Sequence, residues 1–562
     1  MEKRFLCKRS PIVRRIFLTM LAPTILMNLT TALASFADTV IIGRFLDDLA
    51  LSVVTYATPI YMVINTFAAL FAVGGSIAVG IESGKGNKAH ANKAFSLSVE
   101  LLMVVGLLLS VAGLLLTDQI PGWLGADREE CGQAVVDMVR SYATVITVSA
   151  PIFMLNIGLA FFVRNDGRPT LSMVGMFLSI FVNIVFDCIF IACFDLGVAG
   201  AAYATVLGQL VSALVIGSHF LSKKNTLRFS FTFGKDIPRI VKNGGSTALH
   251  FVYQFVSILI INHLVTKLSG ANGVVVYTVV FNLYTVALAL FEGISQTIQP
   301  MVSLFYGEQN YGKIRQTLHL ALVAIAIICG TVTVSLELFP QIVPMIFGVE
   351  DGALVKSASA AVQIFSTSMV IMTVNVVMGY YLQSTEHSFF AAVLVSLRCF
   401  VLFLASVFFL GKRFGLNGIW ASYTVAEVLS FLLMVLMALL ERRRMEKTFG
   451  ETNLLLLPKT VEMSTVTYTL SGDDRDFVEA VTQKLQDHAF SDGIVQTVEA
   501  YLRALLEEKG SKQRKMLEVD IIAAEHKVIL RDNFDHAKPI TLPPELQADQ
   551  APALGFQRLC LK

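Results

Sequence analysis

Two polar residues one helical turn apart lie within a long apolar stretch. Asn183 and Asp187 occur in LSIFVNIVFDCIFIACF, so in a helix both side chains lie on the same face. A carboxylate beside an amide oxygen can form a partial cage for Na⁺, or a protonation site held by a hydrogen bond. The pair therefore predicts an ion-binding site, and the structural alternative is a polar clamp between helices.

Two more acids stand in apolar surroundings. Asp38, in ASFADTVIIGRF, is either part of an ion site or an interfacial acid paired with Arg44. Glu292, in LALFEGISQ, either faces a cavity and attracts a cation or forms a structural pair with Arg398. An ionisable side chain at the centre of a membrane-spanning helix costs about 2.5–3.5 kcal/mol on insertion scales, so each acid indicates a function.

The elements that position these residues are membrane-spanning helices. The chain has 562 residues, 55% of them hydrophobic and 15% charged, which is more apolar surface than a soluble domain can bury. About twelve stretches, from Ile16 to Leu440, have the roughly 20 apolar residues needed to cross a bilayer. We expect an all-α polytopic membrane protein. The net charge of +2 gives no basic field for nucleic acid.

The orientation follows from Lys and Arg, which are retained on the cytoplasmic side of short loops. Alternate loops are rich in these residues, as in the segments 85–93, 164–168 and 223–242, whereas the intervening loops are richer in acids. We therefore expect a plasma-membrane protein with both termini in the cytoplasm.

The sequence contains an internal repeat, which three pairs of segments display. GKGNKAHANKA from Gly84 is similar to GEQNYGKIRQT from Gly307, an offset of 223 residues. Two further pairs, around Asn156 and Asn375 and around Gly197 and Gly415, have offsets of 219 and 218. The pattern predicts two six-helix bundles, 1–221 and 222–445, of the same orientation and enclosing a cavity. Residues 457–562 have soluble composition and predict a small cytoplasmic α+β domain.

Together these features resemble the multidrug and toxic compound extrusion (MATE) family. The resemblance rests on the repeat, on ADTVIIGRF after the first span, on QPMVSLFYGEQN and on FVNIVFD, and it covers Ile16 to Leu440. It implies an antiporter that exports amphipathic organic cations in exchange for H⁺ or Na⁺. It implies no enzymatic activity and no cofactor besides the coupling ion.

The family resemblance also implies the residues of an ion site. In family members with a site in the first half, it uses an acid on helix 1, a Tyr on helix 4, an Asn and an Asp on helix 5 and a Thr on helix 6. The matching residues here are Asp38, Tyr142, Asn183, Asp187 and Thr205, with Na⁺ expected at Asp38, Asn183 and Asp187. The second-half equivalents of Asn183 and Asp187 are Leu402 and Ser406, so ion chemistry is expected in one half.

Candidates for the substrate cavity are four residues of large or polar type. Soft and aromatic side chains suit promiscuous recognition, although lipid contact or packing is the alternative for each. The candidates are Glu292, Gln254, Tyr253 and Met154. Glu427 on the last span occupies the place of Gln209 and is open to either a cavity or a structural role.

The C-terminal segment resembles a degenerate anti-sigma-factor-type, histidine-kinase-like ATPase domain. Arg503 stands where that family has a Mg²⁺-binding Asn, following Glu499, and Phe534 replaces a glycine of the adenine-binding turn. We therefore expect a protein or nucleotide regulator at this domain and no ATP-dependent activity. The alternatives for the whole chain are a flippase for lipid-linked precursors and a membrane-anchored signalling protein with a regulatory C-terminal domain.

Overall fold

The computed structural model describes most of the chain. The described residues are 11–46, 48–124, 126, 132–194, 196–223, 225–230, 234, 236–347, 351–449, 455–457, 465–470, 475–487, 492–511, 517–524, 527–532, 548–550 and 557–561. Side chains within 35–40 and 42–45, among others, are also outside this description, although their backbone is helical.

The membrane part consists of helices joined by short turns and loops in its described residues. Its α-helices are Pro11–Phe45, Asp48–Gly84, Lys88–Leu115, Ile120–Trp123, Gln133–Val148, Ala150–Asn165, Pro169–Asp187, Gly197–Gly217, Ile237–Gly307, Tyr311–Leu338, Ile342–Ile346, Gly352–Ser366, Met369–Ser384, Ser388–Ser396, Leu402–Phe414 and Leu416–Phe449. Single π-helical segments, Cys188–Cys193 and Leu397–Val401, follow two of them. A short 3₁₀-helix, Ser218–Leu221, follows a third.

Ten helical stretches of the described chain can cross a membrane, and two bent pairs bring the number to twelve. In chain order, spans 1 to 12 are Ile12–Ala34, Tyr56–Gly84, Lys88–Leu115, Gln133–Asn165, Pro169–Ile191, Gly197–Leu221, Ile237–Ser269, Gly273–Gly307, Tyr311–Leu338, Gly352–Ser384, Ser388–Phe414 and Leu416–Arg443. The prediction of an all-α polytopic protein with about twelve spans is confirmed.

Spans 7 and 8 lie in one continuous helical segment, Ile237–Gly307, which folds back on itself as a hairpin. A β-carbon placed on Gly273 would lie 3.2 Å from the carbonyl oxygen of Val265. Eight residues of straight helix extend about 12 Å, so the chain must turn back between these residues. The turn places Ile261 and Tyr277 in the same apolar core.

Backbone features recur at the offsets of the sequence repeat. Left-handed conformations occur at Gly86 and Gln309 (φ 75° and 62°), at Gly167 and Glu386 (φ 80° and 59°), and at Gly197 and Gly415 (φ 56° and 60°). Span 4 bends by 48° and span 10 by 44° at corresponding positions. These recurrences agree with a duplication; spans 1 to 6 are called the first half below and spans 7 to 12 the second half.

The two halves meet along spans 2 and 8, where equivalent residues face one another. A β-carbon on Gly84 would lie 2.9 Å from the Cα of Gly307, and one on Gly307 would lie 3.0 Å from the Cα of Gly84. One turn further in, Ser303 closely abuts Gly80, and Gln299 donates a hydrogen bond to Ser76. We call this contact the glycine seam, and it lies at the end of the bundle that carries the basic loops.

Charged and amide side chains reinforce the glycine seam. Arg239 of span 7 contacts Glu82 of span 2 at 2.9 Å and Glu386 at 2.6 Å. The fully buried Arg164 of span 4 donates hydrogen bonds to the side-chain oxygens of Gln296 (2.7 Å) and Gln299 (3.1 Å) on span 8. The basic-loop end of the bundle is therefore closed in this structure.

The described residues beyond the membrane part include two helices and an antiparallel sheet. The helices are Arg475–Asp487 and Asp492–Ser511, and the strands are β1 Thr465–Leu470, β2 Leu517–Ala524, β3 Lys527–Asp532, β4 Ala548–Gln550 and β5 Gln557–Leu561. The strand order is β1-β2-β3-β5-β4. In register, Ile521 of β2 pairs with Val466 of β1 and with Leu530 of β3.

The glycine seam should tolerate no side chain. We expect Gly84→Ala to force spans 2 and 8 apart and to destabilise the purified protein by about 1–3 kcal/mol, the usual cost of overpacking. Thermal unfolding in detergent measures the effect. The matched control is Gly330→Ala in span 9. A β-carbon added there would meet no neighbouring atom of the described residues within 4 Å, and alanine favours the helix. Equal unfolding temperatures for both variants would contradict the close contact.

Candidate functional site

The polar residues of span 5 are brought together with span 6. Asn183 and Asp187 are both buried, Asp187 with 0% exposure, which confirms that they share an inward face. The Asn183 side-chain nitrogen donates to the Thr205 hydroxyl at 3.3 Å, and that hydroxyl donates to the Ala201 carbonyl at 2.9 Å. These contacts orient the Asn183 amide, with its nitrogen towards Thr205. The atoms with which this cluster can bind an ion are therefore oxygens, which suit Na⁺ or H⁺.

Span 5 changes its helical form directly after Asp187. The α-helix ends there and a π-helical segment, Cys188–Cys193, continues the span. Such insertions are frequent at functional sites because they alter which side chains face inward. The local backbone thus distinguishes Asp187 from an ordinary packing position.

The other two predicted ion-site residues are placed differently. Tyr142 of span 4 is buried in the first-half core that also contains Ala201 and Ala202, and its hydroxyl lies 3.1 Å from that of Tyr61. Tyr61 was not among the predicted site residues. Asp38 lies in the helix Pro11–Phe45, which packs against span 5, but its side chain is outside the described residues.

A second polar pair occurs at equivalent positions of both halves. In the first half, the Asn156 amide donates to Gln209 at 2.6 Å. In the second half, the Asn375 amide donates to the Glu427 carboxylate at 2.7 Å. The duplication thus keeps the geometry of the pair but replaces a neutral acceptor by a charged one.

Arg398 supplies the positive charge that Glu427 requires. The guanidinium contacts the carboxylate at 2.8 Å, and both side chains are only 5% exposed. One expected alternative, a Glu292–Arg398 pair, is wrong, because Glu292 instead accepts from Gln296 at 3.3 Å. The sequence feature that could have identified the partner of Arg398 is Glu427, because a buried carboxylate that lacks a cationic partner is energetically costly.

Two adjoining cavities lie in the second half. The larger is lined by Gln254, Arg398 and Glu427 together with aromatic side chains such as Tyr284 and Tyr423. The smaller is lined by apolar side chains such as Leu288, Val376 and Val395 and by a polar group that includes Ser246, Thr247, His250, Glu292, Asn375 and Arg398. Arg398 and His250 border both cavities.

The four predicted cavity residues therefore divide into two groups. Gln254 lines the larger cavity and Glu292 the smaller one. Tyr253 bonds to Ser396 at 3.0 Å and stacks on Phe400, and Met154 is fully buried in the first-half core. A contact of Tyr253 or Met154 with substrate stays a prediction.

A duplicated bundle of spans with buried ionisable clusters and cavities is the architecture of a secondary transporter. The family model MatE matches residues 23–189 and 246–409, more than half of the chain. The chain belongs to the MATE family, whose members are secondary transporters and not enzymes.

Individual proteins of known name extend this result. The chain is 26% identical over 426 residues to the multidrug export protein MepA of Staphylococcus haemolyticus, covering 75% of this chain and 92% of that protein. It is 23% identical over 448 residues to MepA of Staphylococcus aureus RF122, covering 79% and 97%. A solved MATE transporter described as outward-facing aligns with a TM-score of 0.72 at 22% identity, covering 78% of this chain and 97% of that chain.

The Arg398–Glu427 pair should behave as one unit in stability measurements. We expect Glu427→Gln to destabilise the protein by about 3–5 kcal/mol, because it strands the buried guanidinium. The double variant Arg398→Ser with Glu427→Gln reproduces the first-half residues Ser179 and Gln209, so it should lose less than the two single variants combined. Thermal unfolding of the four proteins gives the coupling. Additive losses would show that the charges do not interact.

Proposed function

We propose that this MATE-family protein is a secondary active efflux antiporter that exports amphipathic organic cations in exchange for H⁺ or Na⁺. The observation that carries the proposal is the cluster of buried Asn183 and Asp187 with half-buried Thr205, joined by a hydrogen bond between spans 5 and 6. The relatives named as multidrug export proteins support the substrate class. No resident cofactor takes part; the coupling ion is a transported species.

Coupling arises from the cost of a buried charge. With Asp187 ionised, the first half carries a carboxylate away from water, and H⁺ or Na⁺ bound there with Asp38, Tyr142, Asn183 and Thr205 neutralises it. Neutralisation favours a different packing of spans 5 and 6, and that packing lowers the affinity for substrate through conformational linkage. The second half, which has Leu402 and Ser406 at the equivalent positions, binds no coupling ion of this kind.

The inferred membrane orientation identifies the closed end of the bundle as its cytoplasmic end. The protein is a multi-pass membrane protein, and we infer a plasma-membrane location with the basic loops and both termini in the cytoplasm. The glycine seam then closes the cytoplasmic side, so this conformation receives the coupling ion and releases substrate outward. Return to the cytoplasmic side requires spans 2 and 8 to separate and the contacts of Arg239 to break.

We further propose a regulatory role for the segment 457–562. On the helix Asp492–Ser511, Arg503 donates to Glu499 at 2.7 Å, so the acid that resembles a Mg²⁺ ligand already has a cationic partner. This supports the absence of ATP-driven activity, and the protein or nucleotide regulator of this segment is part of the proposal. Phe534, which the resemblance also involved, lies outside the described residues.

Asp187→Asn tests the coupling site directly. The substitution keeps the shape of the side chain and removes its titratable charge, so ethidium efflux from energised cells should fall to background while the protein still reaches the membrane. Collapsing the Na⁺ and H⁺ gradients separately in the wild type identifies the coupling ion, since efflux should be lost with one of them.

The matched control is Asp118→Asn in the same half. Asp118 is 83% exposed, and its contact with Arg140 at 3.4 Å lies at the surface, so efflux should be unchanged. Full efflux by the Asp187 variant would remove Asp187 from the mechanism. Efflux that survives collapse of both gradients would exclude an antiporter.

A further inference from the structure

The smaller second-half cavity contains polar atoms that its own walls leave unsatisfied. Asn375 is fully buried, and its side-chain nitrogen donates both to the Glu427 carboxylate (2.7 Å) and to the Glu427 carbonyl (2.9 Å). Its side-chain oxygen has no hydrogen-bond partner among the described residues. Because both N–H groups are committed, the amide orientation is set, and an occupant of the cavity that Asn375 lines can supply the donor that this oxygen lacks.

His250 borders the same cavity and has a similar deficit. It is 6% exposed, and its Nδ1 lies 3.3 Å from the Cys399 sulfur. Its Nε2 has no partner in the described part of the chain. The ring therefore offers a second buried polar atom to an occupant of the cavity.

Glu292 is the carboxylate that borders this cavity, where its field is shared with the nearby guanidinium groups of Arg164 and Arg398. The Glu427 carboxylate is neutralised by Arg398 and also accepts from Asn375. Glu292, by contrast, is partly exposed, accepts one hydrogen bond from Gln296, and forms no salt bridge within the described residues. The walls thus present one carboxylate and one amide acceptor to whatever enters.

We propose that this cavity recognises organic cations that carry N–H donors, namely protonated primary or secondary amines and amidinium groups. The cationic nitrogen lies against Glu292, and one of its N–H groups donates to the side-chain oxygen of Asn375. The inference rests on the proposed function, because it names the class of cation for that transporter's substrate cavity. The cavity then distinguishes cations by the N–H groups that they carry as well as by their charge.

A quaternary ammonium group meets only part of this requirement. It satisfies the charge of Glu292, but it has no N–H for Asn375 and displaces any water that would serve that oxygen. A buried acceptor left without a donor weakens binding by about tenfold. The site therefore discriminates between two cations of similar size and equal charge.

The test is a binding series on the purified full-length protein in detergent. Isothermal titration with 4-phenylbutylamine and its N-methyl, N,N-dimethyl and N,N,N-trimethyl derivatives varies the number of N–H groups at constant charge. We expect affinity to fall along the series, with the primary amine about tenfold tighter than the trimethyl compound. Equal affinities, or tighter binding of the trimethyl compound, would overturn the proposal without any variant.

Two matched variants locate the preference. Asn375→Leu should bring the primary-to-quaternary ratio to about one. Asn156→Leu removes the equivalent first-half amide, which also has an unpartnered oxygen but does not line this cavity, and should leave the ratio unchanged. Each affinity ratio compares two compounds on the same protein. A general loss of stability lowers both affinities and therefore does not mimic a change in the ratio. A ratio that persists in Asn375→Leu would contradict the assignment.

Transport in proteoliposomes distinguishes this inference from the proposed function. Export of both cations with equal affinities would leave the antiporter standing and refute the selectivity. A graded affinity that depends on Asn375, with no export of any compound, would support the binding site and refute the transport function. Absence of binding by all four amines would refute the site.

Discussion

The contact between spans 2 and 8 is the constraint on which the closed conformation depends. Gly84 and Gly307 are equivalent by the repeat and touch each other, as expected for residues beside a two-fold pseudo-symmetry axis. Their backbones approach so closely that a methyl group on either would overlap the other helix. Arg164 and Arg239 connect the halves beside this contact. Movement between conformations must therefore begin by separating two helix backbones.

The two halves share one helical architecture but carry different polar residues at equivalent positions. The first half places an acid at Asp187, where the second half has Ser406, and the second half places a charged pair at Arg398 and Glu427, where the first half has Ser179 and Gln209. In the proposed mechanism, the first arrangement binds the coupling ion, whereas the second neutralises its carboxylate with Arg398. In this scheme, one half responds to the ion and the other shapes the cavity.

This division is consistent with the energetics of charge in a membrane. A buried ion pair with additional hydrogen bonds can persist in a single state, since its charges compensate each other. A buried carboxylate that exchanges H⁺ or Na⁺, as proposed for Asp187, instead changes its charge with what binds to it, and its neutralisation can shift an equilibrium between two packings. Placing the two arrangements in different halves allows ion binding to alter one half without disturbing the charges of the other.

The sequence by itself determined the spans, the repeat and the inward face shared by Asn183 and Asp187. Bilayer thickness sets the length of each apolar stretch, and helical periodicity sets which residues share a face. Only the tertiary structure decided that Arg398 pairs with Glu427 and not with Glu292, that Tyr61 meets Tyr142, and that polar atoms of His250 and Asn375 border one cavity. These contacts join different helices, whose rotations and crossings follow from packing that a one-dimensional pattern does not encode.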